Sequence, residues 1–347
     1  MKIGILTFYS PDNYGAALQA YCLAHYIQSK GHEVKFIKHE LSKHGTSQAN
    51  CSMLSWLKNM AVSMMVYPTR QKRLHNFRTF AKMHFEIEEY NDTFDKIVIG
   101  SDQVWNLSLT KNDLYYLGLD FKCATYSYAA SCGDIKSFSE QQIRLLKKGL
   151  HSQTKIAVRE KETQLLLEKL LQRPIVLTLD PTLLVDNEVL ANIEENGIKG
   201  KYILIYDCMN NEIYDFACIL AKQIQVKIVA LSCCVRLRTM CKSFQSASIG
   251  KFLKLFSEAE CIVTTSFHGC AISLSYNKDF YAINFNKHTT SRMRELLQSV
   301  GLIERFVSPN EHYLKFSKIN YAQVNKALAA MRMSSREYLD NVLNDYK

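Results

Sequence analysis

Short apolar runs alternate with helical patterns along most of this chain. Residues 2–8 read as a buried strand, Gly15–Lys30 as a helix and Glu33–Lys38 as a second strand. A strand, a helix and a strand in this order form a βαβ unit, which is typical of doubly wound α/β proteins. The pattern therefore predicts that the chain begins with a parallel sheet.

The alternation continues to Asp180 and restarts after a polar stretch at residues 186–199. The further apolar runs are Asp95–Gly100, Ala124–Ala129, Lys155–Val158, Ile175–Leu179, Tyr202–Tyr206, Val226–Leu231, Cys261–Thr265 and Phe280–Asn284. This arrangement predicts an α/β fold with two Rossmann-like domains, at residues 1–185 and 186–318. A helical tail at residues 319–347 is predicted to pack back across them.

One segment, residues 41–85, interrupts this rhythm. It has no acidic residue, and its seven basic residues are Lys43, Lys58, Arg70, Lys72, Arg73, Arg78 and Lys82. Met53–Tyr67 within it predicts an apolar helix. A basic amphipathic insertion of this kind can lie on an anionic membrane surface. The alternative is an extra pair of helices that covers a sheet face, with solvated lysines.

Composition narrows the class of protein. A chain of 347 residues that is 47% hydrophobic is globular and long enough for two domains. Its eleven cysteines include no Cys-x-x-Cys pair and no zinc-ligand spacing, so we expect free thiols in the cytoplasm. The sequence shows no signal peptide and no apolar run of about 18 residues. The net charge of +10 favours anionic partners without distinguishing nucleic acid, lipid headgroups and phosphorylated metabolites.

The strongest candidate for chemistry is His268, within the segment Cys261–Ser275. A β-branched apolar run ends there in hydroxyl residues, followed by the histidine and a glycine. In a parallel α/β protein this places His268 past the carboxyl end of a strand and at a helix N-terminus. Unpaired N–H groups and the helix dipole favour an anion at that position, and histidine moves protons near neutral pH. A helix-capping or core role is the alternative.

Two polar loops follow other predicted strands. Residues 9–19 open the first helix without a Gly-x-Gly-x-x-Gly or Walker pattern, and a cap followed by Gly15 would explain them. The loop Gly100–Asn106 has a composition suited to binding a sugar through hydrogen bonds and an aromatic face.

Three charged residues also invite interpretation. Arg159 ends a predicted strand, where it would bind a phosphate or carboxylate, or pair with a glutamate of the next helix. Asp180 is interpreted as a turn residue at a strand exit. Arg292 begins a helix and would be either a second cation for an anion or part of a solvated face.

Together these segments resemble the polysaccharide pyruvyl transferases. The resemblance runs from residue 2 to about residue 306 and rests on six motifs in order. They are Asn13-Tyr-Gly-Ala-Ala-Leu-Gln19, Gly100-Ser-Asp-Gln-Val-Trp-Asn106, Tyr126-Ser-Tyr-Ala-Ala-Ser131, Val158-Arg159-Glu160, Asp180-Pro-Thr182 and Thr265-Ser-Phe-His-Gly269. The resemblance implies a GT-B-like fold, with the two domains facing a cleft. It also implies transfer of a pyruvyl group from phosphoenolpyruvate to a sugar, which leaves a ketal.

The same resemblance assigns expected roles. His268 would be the catalytic histidine, and Arg159 would bind the donor. Ser266, Phe267, Gly269 and Arg292 would complete the donor site, with Arg292 supplying a cation where some members carry Arg in place of Ser266. The acceptor candidates, from the two polar loops, are Asn13, Tyr14, Gly15, Gln19, Ser101, Asp102, Gln103, Trp105 and Asn106. We expect no metal and no cofactor beyond the donor substrate.

The expected acceptor is a sugar of a cell-surface polysaccharide or of its lipid-linked precursor. The enzyme would then work in the cytoplasm or on the inner face of the membrane, without nucleic acid. Two alternatives remain open from the sequence. One is a GT-B glycosyltransferase with a nucleotide-sugar donor, and the other is a non-catalytic assembly protein that recruits partners through residues 41–85.

Overall fold

The computed structural model describes residues 1–9, 12–39, 53–207, 213–232, 240–284, 290–311 and 314–345. Its first half is built on a parallel sheet. The elements are β1 (Lys2–Leu6), α1 (Tyr14–Ser29), β2 (Glu33–Ile37), α2 (Met53–His84), β3 (Ile87–Glu88), β4 (Lys96–Ile99), β5 (Ala124–Ser127), α3 (Glu140–Leu150), β6 (Ala157–Val158), α4 (Lys161–Leu171) and β7 (Val176–Leu177). The strand order is β3-β2-β1-β4-β5, and all pairs are parallel.

The parallel pair β6-β7 continues this sheet beyond β5. The Ser127 amide donates to the Lys155 carbonyl at 3.1 Å, and the Arg159 amide donates to the Ala130 carbonyl at 3.3 Å. Arg159 therefore emerges at the carboxyl end of the same sheet as the loops that follow β1 and β4.

The second half repeats the plan. After the short helices α5 (Pro181–Leu184) and α6 (Asn187–Ala191) come β8 (Tyr202–Asp207), α7 (Ile213–Ile224), β9 (Lys227–Ser232), β10 (Lys242–Ser243), α8 (Ile249–Ser257), β11 (Cys261–Thr264), α9 (Phe267–Ser275), β12 (Asp279–Ile283), α10 (Thr290–Ser299), β13 (Phe306–Val307) and α11 (Tyr321–Leu343). The strand order is β10-β9-β8-β11-β12-β13, again parallel. Both sheets thus follow the Rossmann order 3-2-1-4-5-6, whose switch point lies between the first and fourth strands.

Contacts of α1 and of the last helix help to join the halves. The Tyr14 ring of α1 stacks on Phe252 of α8 at a centroid distance of 4.3 Å, and its hydroxyl donates to the Ala247 carbonyl at 2.7 Å. The last helix, α11, returns to the first sheet, where the buried Lys96 ammonium donates to the carbonyls of Val342 and Leu343 at 2.8 and 3.0 Å. These contacts bring the carboxyl ends of both sheets toward the same cleft.

The basic insertion differs in part from both expectations. Its described portion is one helix, α2, rather than a helical pair, and it continues past Pro68 to His84. Burial of Phe77 and Phe80 against the core compensates for the hydrogen bond that an internal proline removes. Residues 41–52 lie outside the described residues. Within the described chain, no helix has the length and apolar character needed to cross a bilayer.

Candidate active site

His268 lies at the switch point of the second sheet, in the first turn of α9. The Ser266 hydroxyl caps this helix by accepting from the Gly269 amide at 3.4 Å. The Thr264 hydroxyl, at the end of β11, donates to the Tyr206 carbonyl at 2.8 Å. A Cβ atom on Gly269 would lie 2.9 Å from the Thr264 Cβ, so only glycine lets the helix start this close to the strand.

Three buried side chains, Arg159, Asp180 and His268, form what we call the Asp180 cluster. Arg159 Nη1 donates to Asp180 Oδ2 at 2.6 Å, and His268 Nε2 lies 3.6 Å from the same oxygen. The other oxygen, Oδ1, accepts from the Thr182 amide at 3.0 Å and from its hydroxyl at 2.7 Å. Asp180 therefore caps α5 and also links an arginine of the first sheet to a histidine of the second.

Electrostatics keep both ends of the Arg159–Asp180 pair charged. Burial by itself would raise the pKa of Asp180, but its interactions with His268 and the charge of Arg159 hold that pKa well below the usual value. Burial likewise would lower the pKa of Arg159, but the negative charges of Glu160, Asp180 and Asp102 raise it overall. The cluster thus presents a fixed guanidinium beside a histidine.

Several polar atoms of the cluster have no hydrogen-bond partner among the described residues. They are Arg159 Nη2 and His268 Nε2, together with Oε2 of the neighbouring Glu160. The Glu160 Oε1 atom accepts from Arg159 Nε at 3.1 Å, so the two carboxylates bind Nε and Nη1 and leave Nη2 unpaired. A buried unpaired donor costs roughly 1–3 kcal/mol, and an anionic ligand would satisfy it.

A cavity of about 710 Å³ opens beside the cluster. Its lining includes Arg159, Asp180, Phe267 and Arg292, together with other side chains of α4, α10 and α11 and residues 177–179. The Arg159 guanidinium stacks on the Phe267 ring at 4.2 Å from its centroid. This cation–π contact fixes the plane of the guanidinium across the two halves of the molecule.

Arg292 supplies a second cation in the same cavity. Burial and the positive charge of Arg159 lower the pKa of Arg292, while the acidic groups around it raise that pKa in part. With the Gln103 amide oxygen oriented toward it, Gln103 accepts from both terminal nitrogens of Arg292 at 3.2 Å. Two neighbouring guanidinium groups favour a ligand with more than one negative charge.

The first polar loop supports the site from the other sheet. The Asn13 side chain caps α1 by accepting from the Ala16 amide at 3.2 Å, and Tyr14 is buried in the stack described above. Gly15 lies directly against the His268 ring, since an ideal Cβ there would be 2.7 Å from Cε1. Gln19 is buried and donates to the Phe8 carbonyl at 2.9 Å, while it accepts from the Ser101 hydroxyl at 2.8 Å. Gly15 therefore brings this loop into contact with His268.

Some residues of the second polar loop contact the site, and others are buried in the core. Asp102 is buried, with a φ of 70°, and its negative charge helps to raise the pKa of Arg159. Gln103 faces Arg292. Trp105 is fully buried and its indole N–H donates to the Tyr116 carbonyl at 2.8 Å. Asn106 accepts from the Leu109 amide at 3.2 Å within its own loop. The expected aromatic face for a sugar is thus not Trp105, whose ring packs in the core.

Part of this site is not apparent from the sequence. Asp180 was interpreted as a turn residue, and its capping of α5 is such a role, but the same carboxylate joins Arg159 and His268. Glu160 was considered only as an ion-pair partner that would occupy Arg159. The only sequence signal that Asp180 has a larger role was that Arg159 and Asp180 each follow a predicted strand. Among the described residues, no group of His, Cys, Asp or Glu side chains could hold a metal ion.

Comparison with solved structures identifies the class of fold. UDP-GlcNAc 2-epimerase from Methanocaldococcus jannaschii superposes with a TM-score of 0.51 at 13% identity, covering 99% of each chain. UDP-N-acetylglucosamine 2-epimerase from Rickettsia bellii has a TM-score of 0.49 at 12% identity, covering 100% of this chain and 97% of that one. The predicted α/β fold of GT-B type is confirmed.

The sequence defines the family within that class. Residues 13–286 match the polysaccharide pyruvyl transferase family, and the chain belongs to it, as the six motifs predicted. No curated protein matches the chain. Family membership makes it a transferase of polysaccharide modification.

Proposed function

We propose that the protein transfers a pyruvyl group from phosphoenolpyruvate to two hydroxyls of a sugar, forming a pyruvate ketal. The observation that carries this proposal is the buried, unpaired Nη2 of Arg159, a residue that lines one cavity together with Arg292. Membership of the pyruvyl transferase family supports the same donor.

The charge of the donor suits this cavity. Phosphoenolpyruvate carries roughly three negative charges at neutral pH, which calls for fixed cations and unpaired N–H groups. Arg159 and Arg292 would bind its phosphate and carboxylate, and the first turn of α9 contributes the positive end of a helix dipole. Phe267 would keep the Arg159 guanidinium in plane while the donor binds.

The reaction would proceed by addition and then elimination. His268 protonates the methylene carbon of the donor while a sugar hydroxyl forms a bond to the adjacent carbon. The carbon–oxygen bond to phosphate then breaks, and the second hydroxyl captures the oxocarbenium-like carbon. Of the two hydroxyl protons, one replaces the proton that His268 gave to the methyl group and the other leaves with inorganic phosphate. A positioned acid/base of this kind contributes roughly 10²–10⁴-fold to the rate.

Asp180 would support the proton transfer at His268. Its carboxylate remains ionised and lies 3.6 Å from Nε2, where it would hold the imidazole in the orientation from which the proton is delivered. Because Asp180 also holds Arg159, the same group aligns the acid and the anion-binding cation.

The acceptor would be a sugar of a cell-surface polysaccharide or of its lipid-linked precursor, modified at the cytoplasmic face of the membrane. Family membership supports a sugar acceptor, and the acceptor would enter beside Gly15, Asp102 and Gln103. Asn13, Tyr14, Gln19, Ser101, Trp105 and Asn106 would then support the loops that shape this entrance, instead of binding the sugar themselves.

Release of inorganic phosphate from phosphoenolpyruvate in the presence of sugar acceptors tests the proposal. His268→Ala should lower the rate by about 10²–10⁴-fold, whereas His151→Ala, at an exposed histidine distant in sequence, should leave it unchanged. Undiminished release by His268→Ala would overturn the role of the histidine. Release that requires a nucleotide-sugar would favour a glycosyltransferase.

A further inference from the structure

The second half of α2 carries a cationic face toward solvent. Counting 100° per residue from His75, the exposed side chains of Lys72, Arg78 and Lys82 fall on the same side of the helix as His75. The opposite side packs Phe77 and Phe80 into the core. We call the first surface the outer face of α2.

The charges of this face are not neutralised locally. Lys72, Arg78 and Lys82 form no ion pair with the described residues, and the sequence has no acidic residue between Glu40 and Glu86. By contrast, the exposed Lys122 is paired with Asp92 at 2.7 Å. An unpaired row of cations favours an extended anionic partner.

Apolar side chains lie at both ends of the same face. Tyr67 is 60% exposed and Met83 is 67% exposed, among the most exposed large apolar residues described in this chain. An aromatic and an aliphatic side chain flanking cations match the boundary between lipid headgroups and acyl chains. This combination favours a lipid surface over nucleic acid, because the outer face of α2 has no element that would read nucleic-acid bases.

Side chains on the opposite side of α2 from its outer face contact the loops beside the cleft. Arg73 donates from Nη2 to the Asp12 carbonyl at 2.9 Å, in the loop that leads into Gly15. Asn76 donates to the Ser246 carbonyl of the second half at 2.8 Å. The helix therefore spans the two halves beside the loop that contacts His268.

We propose that the outer face of α2 docks the protein on an anionic phospholipid surface. The purpose of this docking rests on the proposed function. A protein held on the membrane by this face would have its cleft close to a lipid-linked acceptor. Each basic residue near such a surface is worth about 5-fold in binding. Three of them would supply roughly 100-fold, an amount that falls as salt screens the charges.

Sedimentation with vesicles tests this docking. The full-length protein is mixed at low salt with vesicles of phosphatidylcholine alone or with an equal share of phosphatidylserine. The α2 variant carries Lys72→Gln, Arg78→Gln and Lys82→Gln. Its matched control carries Lys111→Gln, Lys147→Gln and Lys148→Gln, which remove the same charge from other exposed positions.

We expect binding only to the vesicles that contain phosphatidylserine, about 100-fold weaker in the α2 variant and nearly unchanged in the control. Equal weakening in both variants would overturn the proposal, because net charge alone would then explain binding. So would failure of the unaltered protein to bind, or tighter binding to duplex DNA than to the vesicles. The thermal stabilisation by phosphoenolpyruvate, measured in the same variants, reports on the proposed function separately and should not change.

Discussion

Gly15 of the first half and His268 of the second are in direct contact across the cleft. The absence of a side chain at Gly15 is what lets the imidazole lie there, since a Cβ would be 2.7 Å from Cε1 and closer still to Nδ1 and Cγ. On its other side His268 lies 3.6 Å from Asp180. The ring is thus positioned between a backbone surface and a buried carboxylate.

Gly15→Ala should therefore displace the histidine without unfolding the protein. Alanine favours a helix by roughly 1 kcal/mol over glycine, which offsets part of the clash. A misplacement of about 1 Å at a reacting group can cost about 100-fold in rate. We expect kcat for phosphate release to fall by about that factor.

Gly31→Ala provides the control for this substitution. Nothing lies within 4 Å of a Cβ at that position, but its φ of 82° disfavours any residue except glycine. It should lower the melting temperature and leave kcat unchanged. If Gly15→Ala retains full activity, His268 does not need this contact.

Asp180→Asn should destabilise the protein in a pH-dependent manner. The pKa of Asp180 is lowered in the folded state, so the unfolded state binds the proton more readily and acid favours unfolding. Its contribution is fully present above about pH 4, near the unfolded pKa, and is lost as the pH falls further. Breaking a buried pair should lower the free energy of unfolding by about 3 kcal/mol at neutral pH.

Urea unfolding at several pH values measures this effect. The difference between the unaltered protein and Asp180→Asn should narrow below about pH 4. Asp186→Asn, which removes an exposed partner of Arg336 at 3.0 Å, should cost less than about 1 kcal/mol. A difference that persists unchanged in acid would show that the charge of Asp180 is not what stabilises the fold.

Trp105→Phe should affect stability and not ligand binding. The substitution removes the indole N–H that the Tyr116 carbonyl accepts and leaves that carbonyl unpaired. We expect a loss of about 1–3 kcal/mol in the free energy of unfolding. The thermal stabilisation by phosphoenolpyruvate should keep its size, and a loss of sugar acceptor turnover at unchanged stability would instead place Trp105 in the acceptor site.

Lys96→Met should loosen the docking of α11. The buried ammonium donates to the last carbonyls of that helix, and burial lowers its pKa. Its removal should increase amide hydrogen exchange in residues 321–343. Lys155→Met, which removes a half-exposed pair with Asp345 at 3.1 Å, serves as the control and should have little effect. Equal exchange in both variants would contradict the capping role of Lys96.

The strands of both sheets were predictable because hydrophobic runs mark them. Buried parallel strands such as Cys261–Thr264 have apolar side chains on both faces, and the predicted bounds agree within a few residues. The strands β3, β10 and β13 were not predicted because each has only two residues and, unlike β6 and β7, does not lie within a longer apolar run. The continuation of α2 beyond Pro68 depended on packing of Phe77 and Phe80, which a local proline signal does not reveal.

The site was predictable only as separate motifs. The order of the loops indicated that His268 and Arg159 face a cleft, but not that Asp180 joins them. Asp180 and His268 are 88 positions apart in the sequence, which gives no information on the distance between their side chains. Trp105 was misjudged for a related reason. A polar loop at a strand end does not show which of its side chains turns into the core.

Calorimetric titration with phosphoenolpyruvate measures donor binding by the Arg159 site and needs no acceptor. We expect saturable binding to the unaltered protein and binding weakened by about 100-fold or more in Arg159→Gln, which loses both the guanidinium fork and its charge. We expect no binding of UDP-N-acetylglucosamine. Absence of phosphoenolpyruvate binding, or equal binding by Arg159→Gln, would contradict the proposed donor site.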